Sequence, residues 1–310
     1  MSRTAFALRD PLAWPIFSGL VRDGEALGYA GLFLPEITGR DTLVALGEVA
    51  GETHRLLLAT GIVPMDARTS MLTAMAAAAV QERSGGRLVL GLGTGPAAPG
   101  ALDRLRELIG GLRRLLAGEV VEIDGRPRRL TLVPPDPVPI WIAALGPRAV
   151  RLAGEVADGV LLNWCGPERV ASARASIAES AADVGRDPAD VTVGVYVRAC
   201  LIDDEASAMA AVRAAAGEYA SYPAYARQFA TMGLGDEARS AAEAHAAARP
   251  QDVPEALVRA VCLVGDPSEA RVQLEAFRGA GADLPVVYPV AAPRDPAGSV
   301  RTTLERLAPR

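Results

Sequence analysis

Short apolar runs rich in β-branched residues alternate with longer stretches whose apolar positions recur at helical spacing, almost from the first residue onward. The runs predict strands at Thr4 to Leu8, Gly31 to Leu34, Leu56 to Val63, Arg87 to Leu92, Pro139 to Ala143, Gly159 to Leu162, Val191 to Ile202 and Pro285 to Tyr288. Strand and helix in regular succession is the pattern of parallel strands joined by crossover helices, and eight such strands predict a closed (β/α)8 TIM barrel. Helix ends are also legible. Pro15 suits a first helical turn, Gly28 follows the first helix, Asp41 precedes an apolar-periodic stretch to about Thr53, and Asp266-Pro267 opens a last crossover helix ending near Gly279. Between the seventh and eighth strands, residues 203–259 are Ala-rich and helical. They predict a helical insertion within a single domain spanning residues 1–310.

Half of the 310 residues are hydrophobic, enough for one large core. The 37 acidic and 32 basic side chains leave a net charge of −5 without the basic stripe that nucleic acid or an anionic membrane requires. No signal-peptide core and no long charge-free apolar run stands out, which predicts a soluble cytoplasmic protein. All 32 basic residues are arginine. A chain without lysine excludes Schiff-base and pyridoxal-phosphate chemistry and the Walker-A phosphate loop. Cys165, Cys200 and Cys262 lie far apart, and with only His54 and His245 beside them they offer no metal-ligand spacing.

A barrel of this kind carries its chemistry at the carboxyl ends of its strands. That rule selects Pro35-Glu36, Ile62 to Arg68, Gly93 to Gly100, Ala144 to Pro147 and Asn163 to Gly166. Gly93-Thr94-Gly95 reads superficially as a dinucleotide fingerprint, but Pro96 and Pro99 stand where its helix should begin at once.

Over nearly the whole chain the sequence resembles the luciferase-like superfamily, in particular its actinobacterial F420-dependent oxidoreductases. The stretches that carry the resemblance are GYAGLFLPEITGRD, THRLLLATGIVPMDARTSMLTAMAAAAVQERSGGRLVLGLGTG, PIWIAALGPRAVRLAGEVADGVL and GDPSEARVQLEAFRGAGAD. The resemblance implies a redox enzyme binding coenzyme F420, a deazaflavin, or alternatively FMN, with the ring over a third-strand bulge at Gly61-Ile62, where such proteins commonly carry a cis peptide. The implied cofactor residues are Gly61, Ile62 and Val63, then Gly93, Thr94 and Gly95, then Ala144, Leu145, Gly146 and Pro147. Three functions follow as alternatives: an F420-dependent reductase or dehydrogenase acting on a small organic molecule, an FMN-dependent monooxygenase, or a barrel that binds a cofactor without catalysis.

Several deazaflavin enzymes carry an Asp-His pair after strand two and a Glu after Gly-Thr-Gly. Here Glu36-Ile37 and Pro96 stand in those places, so the usual acid does not carry over. Glu36, Asp66 and Arg68 remain as catalytic candidates, with a salt bridge from Glu36 to Arg40 or Arg68 as the structural alternative. Asn163, the only asparagine, and Trp164 and Tyr225 are candidate substrate contacts, although a turn role for Asn163 and core packing for the aromatics, Tyr222 and Phe229 included, fit as well. His54 reads as structural; His245 sits in the insertion. Finally, the helix from about Ser70 to Ser84 contains MLTAMAAAAV without a charge, which predicts a homodimer interface across its outward small residues, Ala77 and Ala78 among them, with cover by neighbouring helices or the inserted segment of the same chain as the alternative.

Overall fold

The computed structural model describes residues 3–9, 12–95 and 98–309. Eight parallel strands close a barrel in chain order: Ala5–Ala7, Gly31–Leu34, Leu57–Thr60, Leu88–Gly93, Ile140–Ala143, Gly159–Asn163, Thr192–Cys200 and Leu284–Pro289, the eighth returning to pair with the first. Each falls within or beside the run that predicted it. Alternation explains how one strand serves two environments. Val193, Val195 and Val197 of the seventh strand pack outward with Leu32, Leu58, Leu90 and Ile142 against the helices. Inside, Phe33, Trp141, Leu161, Tyr196, Val286 and Tyr288 meet. Trp141 fits there because its neighbours are glycines: a Cβ on Gly159 would lie 2.5 Å from its Cε2, and one on Gly194 2.7 Å from its Cζ3.

The third strand does break at Gly61-Ile62. Leu58 pairs with Leu88 and Ala59 with Val89, yet Val63 pairs with Leu92 and Pro64 with Gly93. Thr60, Gly61 and Ile62 therefore stand opposite Leu90 and Gly91 alone, a one-residue bulge. Thr60 Oγ1 bridges the gap, donating to Gly91 O at 2.9 Å and accepting from Gly91 N at 2.7 Å.

The insertion folds as helices Glu205–Ala220, Pro223–Thr231, Gly235–Ala246 and Glu255–Val261, whose buried alanines pack around Trp164 and Phe229 over the ends of strands six and seven. Two elements were not predicted. Cys262–Val264 adds a short parallel strand beside Arg198–Cys200. Val121–Ile123 and Arg126–Arg128 form a hairpin turned by Asp124 and Gly125, both at positive φ. The helix capped by Asp41 ends at Val49, short of the predicted Thr53, because Thr53 Oγ1 folds back to donate to Val49 O. The helix Ser70–Ser84 corrects a further expectation. Ala77 and Ala78 are fully buried within the chain, and the outward side is Leu72, Met75 and Ala79.

The Ser-Gly-Gly-Arg stretch at Ser84–Arg87 lies at the amino ends of the strands, away from the expected chemistry. Gly85 and Gly86 take positive φ to end the helix, and Arg87 then donates to Ser84 O, Leu56 O, Ala50 O, Thr53 O and Thr53 Oγ1, all within 3.0 Å. One guanidinium fastens the turn after the second helix to the start of the third strand. Hydrogen bonds to a charged donor contribute about 1.5–3 kcal/mol each, and solvent replaces some of them on mutation. Arg87→Met is expected to lower the urea-unfolding free energy by about 3 kcal/mol with an unchanged native circular-dichroism spectrum.

Candidate active site

At the carboxyl ends of strands three to five the barrel presents little but backbone. A Cβ on Gly61 would run into Tyr196 Oη and lie 3.0 Å from Pro35 Cα, so only glycine lets the bulge pass between strands two and seven. Gly93 ends the fourth strand against Ile62, and Gly95 follows at φ +65°. After strand five, Ala144 is buried, Leu145 O accepts from Arg169 Nη2 at 2.8 Å, and Gly146 starts the helix Pro147–Val156 without a side-chain cap. Gly146 is extended and a Cβ there would meet nothing within 4 Å, so its small size serves neither backbone nor packing.

Strands six to eight present the opposite character. Tyr196 points inward at the level of Gly61; Arg198 follows two residues on, on the same face of the strand. Arg198 lies with its Cζ 3.5 Å from the Tyr288 ring centre and 5.0–5.5 Å from those of Trp164, Tyr196 and Tyr219. Asn163 Nδ2 donates to Tyr225 Oη at 2.9 Å. Gln228 Nε2 donates to the carbonyls of Asn163 and Trp164, holding Trp164 at φ +51°. A cavity of about 600 Å3 opens beside this group, lined among others by Arg9, Arg198, Glu218, Tyr219, His245 and Tyr288.

Most buried polar atoms in folded proteins have partners. Six buried side-chain atoms have none among the described residues: Asn163 Oδ1, Trp164 Nε1, Tyr196 Oη and Arg198 Nη1 belong to this one face, while Arg68 Nε and Arg213 Nε lie apart from it. Burial holds the Tyr196 phenol well above its ordinary pKa and pushes Tyr288 up to about 12 despite the Arg198 charge. Both hydroxyls are neutral at physiological pH. Burial likewise pushes the thiols of Cys165 and Cys262 up to about 12, which leaves them inert. Among the described residues no cluster of His, Cys, Asp and Glu could hold a metal ion, and no helix is long and apolar enough to cross a membrane.

A glycine-lined bulge facing a group of unpartnered polar atoms at the carboxyl end of a barrel is the setting in which comparison with known proteins becomes informative. The model of the luciferase-like monooxygenase family matches residues 13–284. The chain belongs to that family. It is 32% identical over 241 residues to an F420-dependent glucose-6-phosphate dehydrogenase of Beutenbergia cavernae, covering 68% of this chain and 70% of that protein. It is 33% identical over 204 residues to a 5,10-methylenetetrahydromethanopterin reductase of Methanolobus tindarius, covering 61% of this chain but 62% of that protein, less than two thirds of its length. The solved coenzyme F420-dependent tetrahydromethanopterin reductase of Methanopyrus kandleri superposes with a TM-score of 0.78 at 20% identity over 98% of both chains, a likeness of fold.

Within the family fold, the sequence-selected residues separate into groups. Gly61, Ile62 and Val63 form the bulge; Gly93, Thr94 and Gly95, and Ala144 to Pro147, end the two neighbouring strands. Asn163, Trp164 and Tyr225 gather on the other side, Trp164 wholly buried beneath the insertion. Glu36 follows the structural alternative: its carboxylate stands 3.9 Å from Arg68 Nη1 and accepts from Thr42 N at 3.1 Å, while Arg68 also pairs with Asp41. Asp66 is exposed and makes no side-chain hydrogen bond or ion pair with the described residues. His54 lies at the barrel's other end, where its N–H donates to Glu25, and Pro96 lies outside the described residues. Tyr196 and Arg198 escaped the sequence reading because they lie inside a predicted strand rather than after it. An arginine at an inward position of an otherwise apolar run was the available signal.

A paired measurement separates site from core. Tyr29 and Tyr196 are both buried, but Tyr29 Oη donates to Leu304 O at 2.8 Å whereas Tyr196 Oη has no partner among the described residues. Tyr29→Phe is expected to cost about 1 kcal/mol of cofactor-free stability, and Tyr196→Phe to cost none or to stabilise. Equal losses by urea titration would show that Tyr196 is ordinary core.

Proposed function

We propose that this oxidoreductase uses coenzyme F420, held at the carboxyl ends of strands three to five, to reduce or oxidise a small organic substrate held against strands six to eight. The observation that carries the reading is the unpartnered Tyr196 hydroxyl, aimed at a bulge that tolerates no Cβ. The names of the relatives support the choice of cofactor. When bound, the deazaflavin ring supplies a carbon that gives or takes hydride. Gly61, Ile62 and Val63 would bed the ring; Gly93, Thr94 and Gly95 with Ala144, Leu145, Gly146 and Pro147 would offer backbone N–H groups to its polar edge and tail.

The chain's own contribution to the chemistry is a neutral hydrogen-bond donor and a dry enclosure. Tyr196 keeps its proton at Oη because burial makes the phenolate costly, which suits it to donate a hydrogen bond to an oxygen arriving beside Gly61. In this reading the polar contact with the reacting oxygen passes from Glu36, Asp66 and Arg68 to Tyr196, and the Glu36–Arg68 pair shapes the cleft wall. The insertion excludes water over strands six and seven, with Asn163, Trp164 and Tyr225 as its substrate-facing contacts.

Gly146→Val is the clean test of the cofactor site, since its extended backbone and empty surroundings accept a side chain without strain. Titration of the purified protein is expected to show deazaflavin binding, unaffected by equimolar FMN, and a loss of about tenfold or more in Gly146→Val with an unchanged melting temperature. Binding of FMN in preference, with dioxygen consumed on turnover, would replace this reading by a monooxygenase.

The same reading makes the protein a cytoplasmic homodimer. Leu72 and Met75 are about half exposed on the helix Ser70–Ser84, and Val44 on the neighbouring helix is 70% exposed, an apolar surface that a second copy would cover. Light scattering is expected to give the mass of two chains for the wild type and one for Leu72→Glu combined with Met75→Arg. A monomeric wild type at micromolar concentration would overturn the dimer.

A further inference from the structure

A buried charge is costly unless something neutralises it, and Arg198 is 3% exposed with no carboxylate among the described residues forming an ion pair with it. Among the described residues the one acidic side chain lining the adjacent cavity, Glu218, is engaged by Arg9 Nη2 at 3.3 Å. What surrounds the Arg198 guanidinium is aromatic. Rings at this range favour the cation through their faces, and Tyr288, 3.5 Å away, is stacked on it. A ring on the face leaves the in-plane N–H groups unoccupied, and Nη1 indeed has no partner among the described residues. The guanidinium is buried, and its Nη1 is unspent on any described residue.

The position says which molecule spends it. Arg198 pairs in register with Tyr288 of the eighth strand, across the barrel mouth from the glycine ends of strands three to five, and opens on the 600 Å3 cavity. It lies two residues beyond Tyr196 on the same strand face, about 6.6 Å farther from the barrel floor. A molecule whose reacting oxygen meets Tyr196 Oη would thus bring a group roughly one strand repeat away onto Arg198.

We infer that Arg198 binds a carboxylate of the substrate, so that the enzyme acts on an organic acid with an apolar or aromatic body. The inference rests on the substrate side proposed above. Charge count selects carboxylate over phosphate: one unpaired guanidinium balances one negative charge, and its planar edge matches two carboxylate oxygens. A phosphate dianion would leave a second charge uncompensated among Trp164, Tyr219 and Tyr288. The aromatic lining suits the body of the acid.

The test uses the cofactor-free full chain and calorimetric titration with benzoate, its neutral methyl ester and inorganic phosphate. Benzoate is expected to bind about tenfold or more tightly than either of the others, and Arg198→Gln to lose that preference. Arg198→Lys, which keeps the charge but not the planar edge, should recover part of it. Circular dichroism establishes that both variants fold, and deazaflavin titration of Arg198→Gln is expected to match the wild type. Equal binding of ester and benzoate, tighter binding of phosphate, or benzoate affinity unchanged in Arg198→Gln would each overturn the inference. Loss of deazaflavin binding in Arg198→Gln would overturn it too, by placing Arg198 on the cofactor. A wild type that binds benzoate through Arg198 but no deazaflavin would instead overturn the proposed cofactor and leave the acid site standing.

Discussion

The interior of a closed eight-stranded barrel must be filled by side chains, and in this protein the filling of its lower part by Trp141 fixes everything above it. The indole occupies space that Gly159 and Gly194 vacate on the two following strands, and it meets Phe33 at 5.8 Å between ring centres. Phe33 in turn meets Tyr196 at 6.1 Å, nearly edge-on. These rings form a floor. Gly61 borders that floor through Tyr196, and Arg198 stands about one strand repeat above it.

The bulge in the third strand is the second consequence of closure. A regular strand would continue its inward residues past Ala59 at full side-chain volume. One extra residue, stitched by Thr60 to Gly91, turns the chain so that backbone rather than side chain borders the floor. The opposite wall is assembled differently, by a helical insertion whose alanines allow close packing and whose Gln228 reaches down to hold the loop after strand six. One half of the mouth is thus built by omission of side chains, the other by their convergence.

This contrast explains what the sequence disclosed. Glycines announce omission locally, so the ends at Gly93 and Gly146 were legible, as were the eight strands from their alternation and the capping residues Asp41 and Asp266, while the bulge at Gly61 came from the family resemblance. Convergence is a property of distant residues, and nothing in the linear text joins Arg198 to Trp164, Tyr219 and Tyr288. Charge close to a predicted strand end is harder to read: Glu36 and Arg68 stand at the correct end of the barrel and pair with each other and with the start of a helix, while Arg68 Nε has no partner among the described residues. The helix Ser70–Ser84 shows a further limit. Uniform apolarity identifies a helix that must be covered, but not which side its own barrel covers, and Ala77 and Ala78 proved to be the inner one. The Asp124-Gly125 hairpin, by contrast, carried a readable turn signal.

Arg87 and Arg198 illustrate how the two ends of the barrel divide their duties. At the amino end a guanidinium is saturated with acceptors; at the carboxyl end another is left without them. The scaffold therefore has stability in reserve that its mouth declines to use. Improvement of this protein by selection for heat resistance alone would favour replacing Tyr196 and Arg198 with apolar residues early, and would arrive at a sturdier barrel with nothing left to recognise.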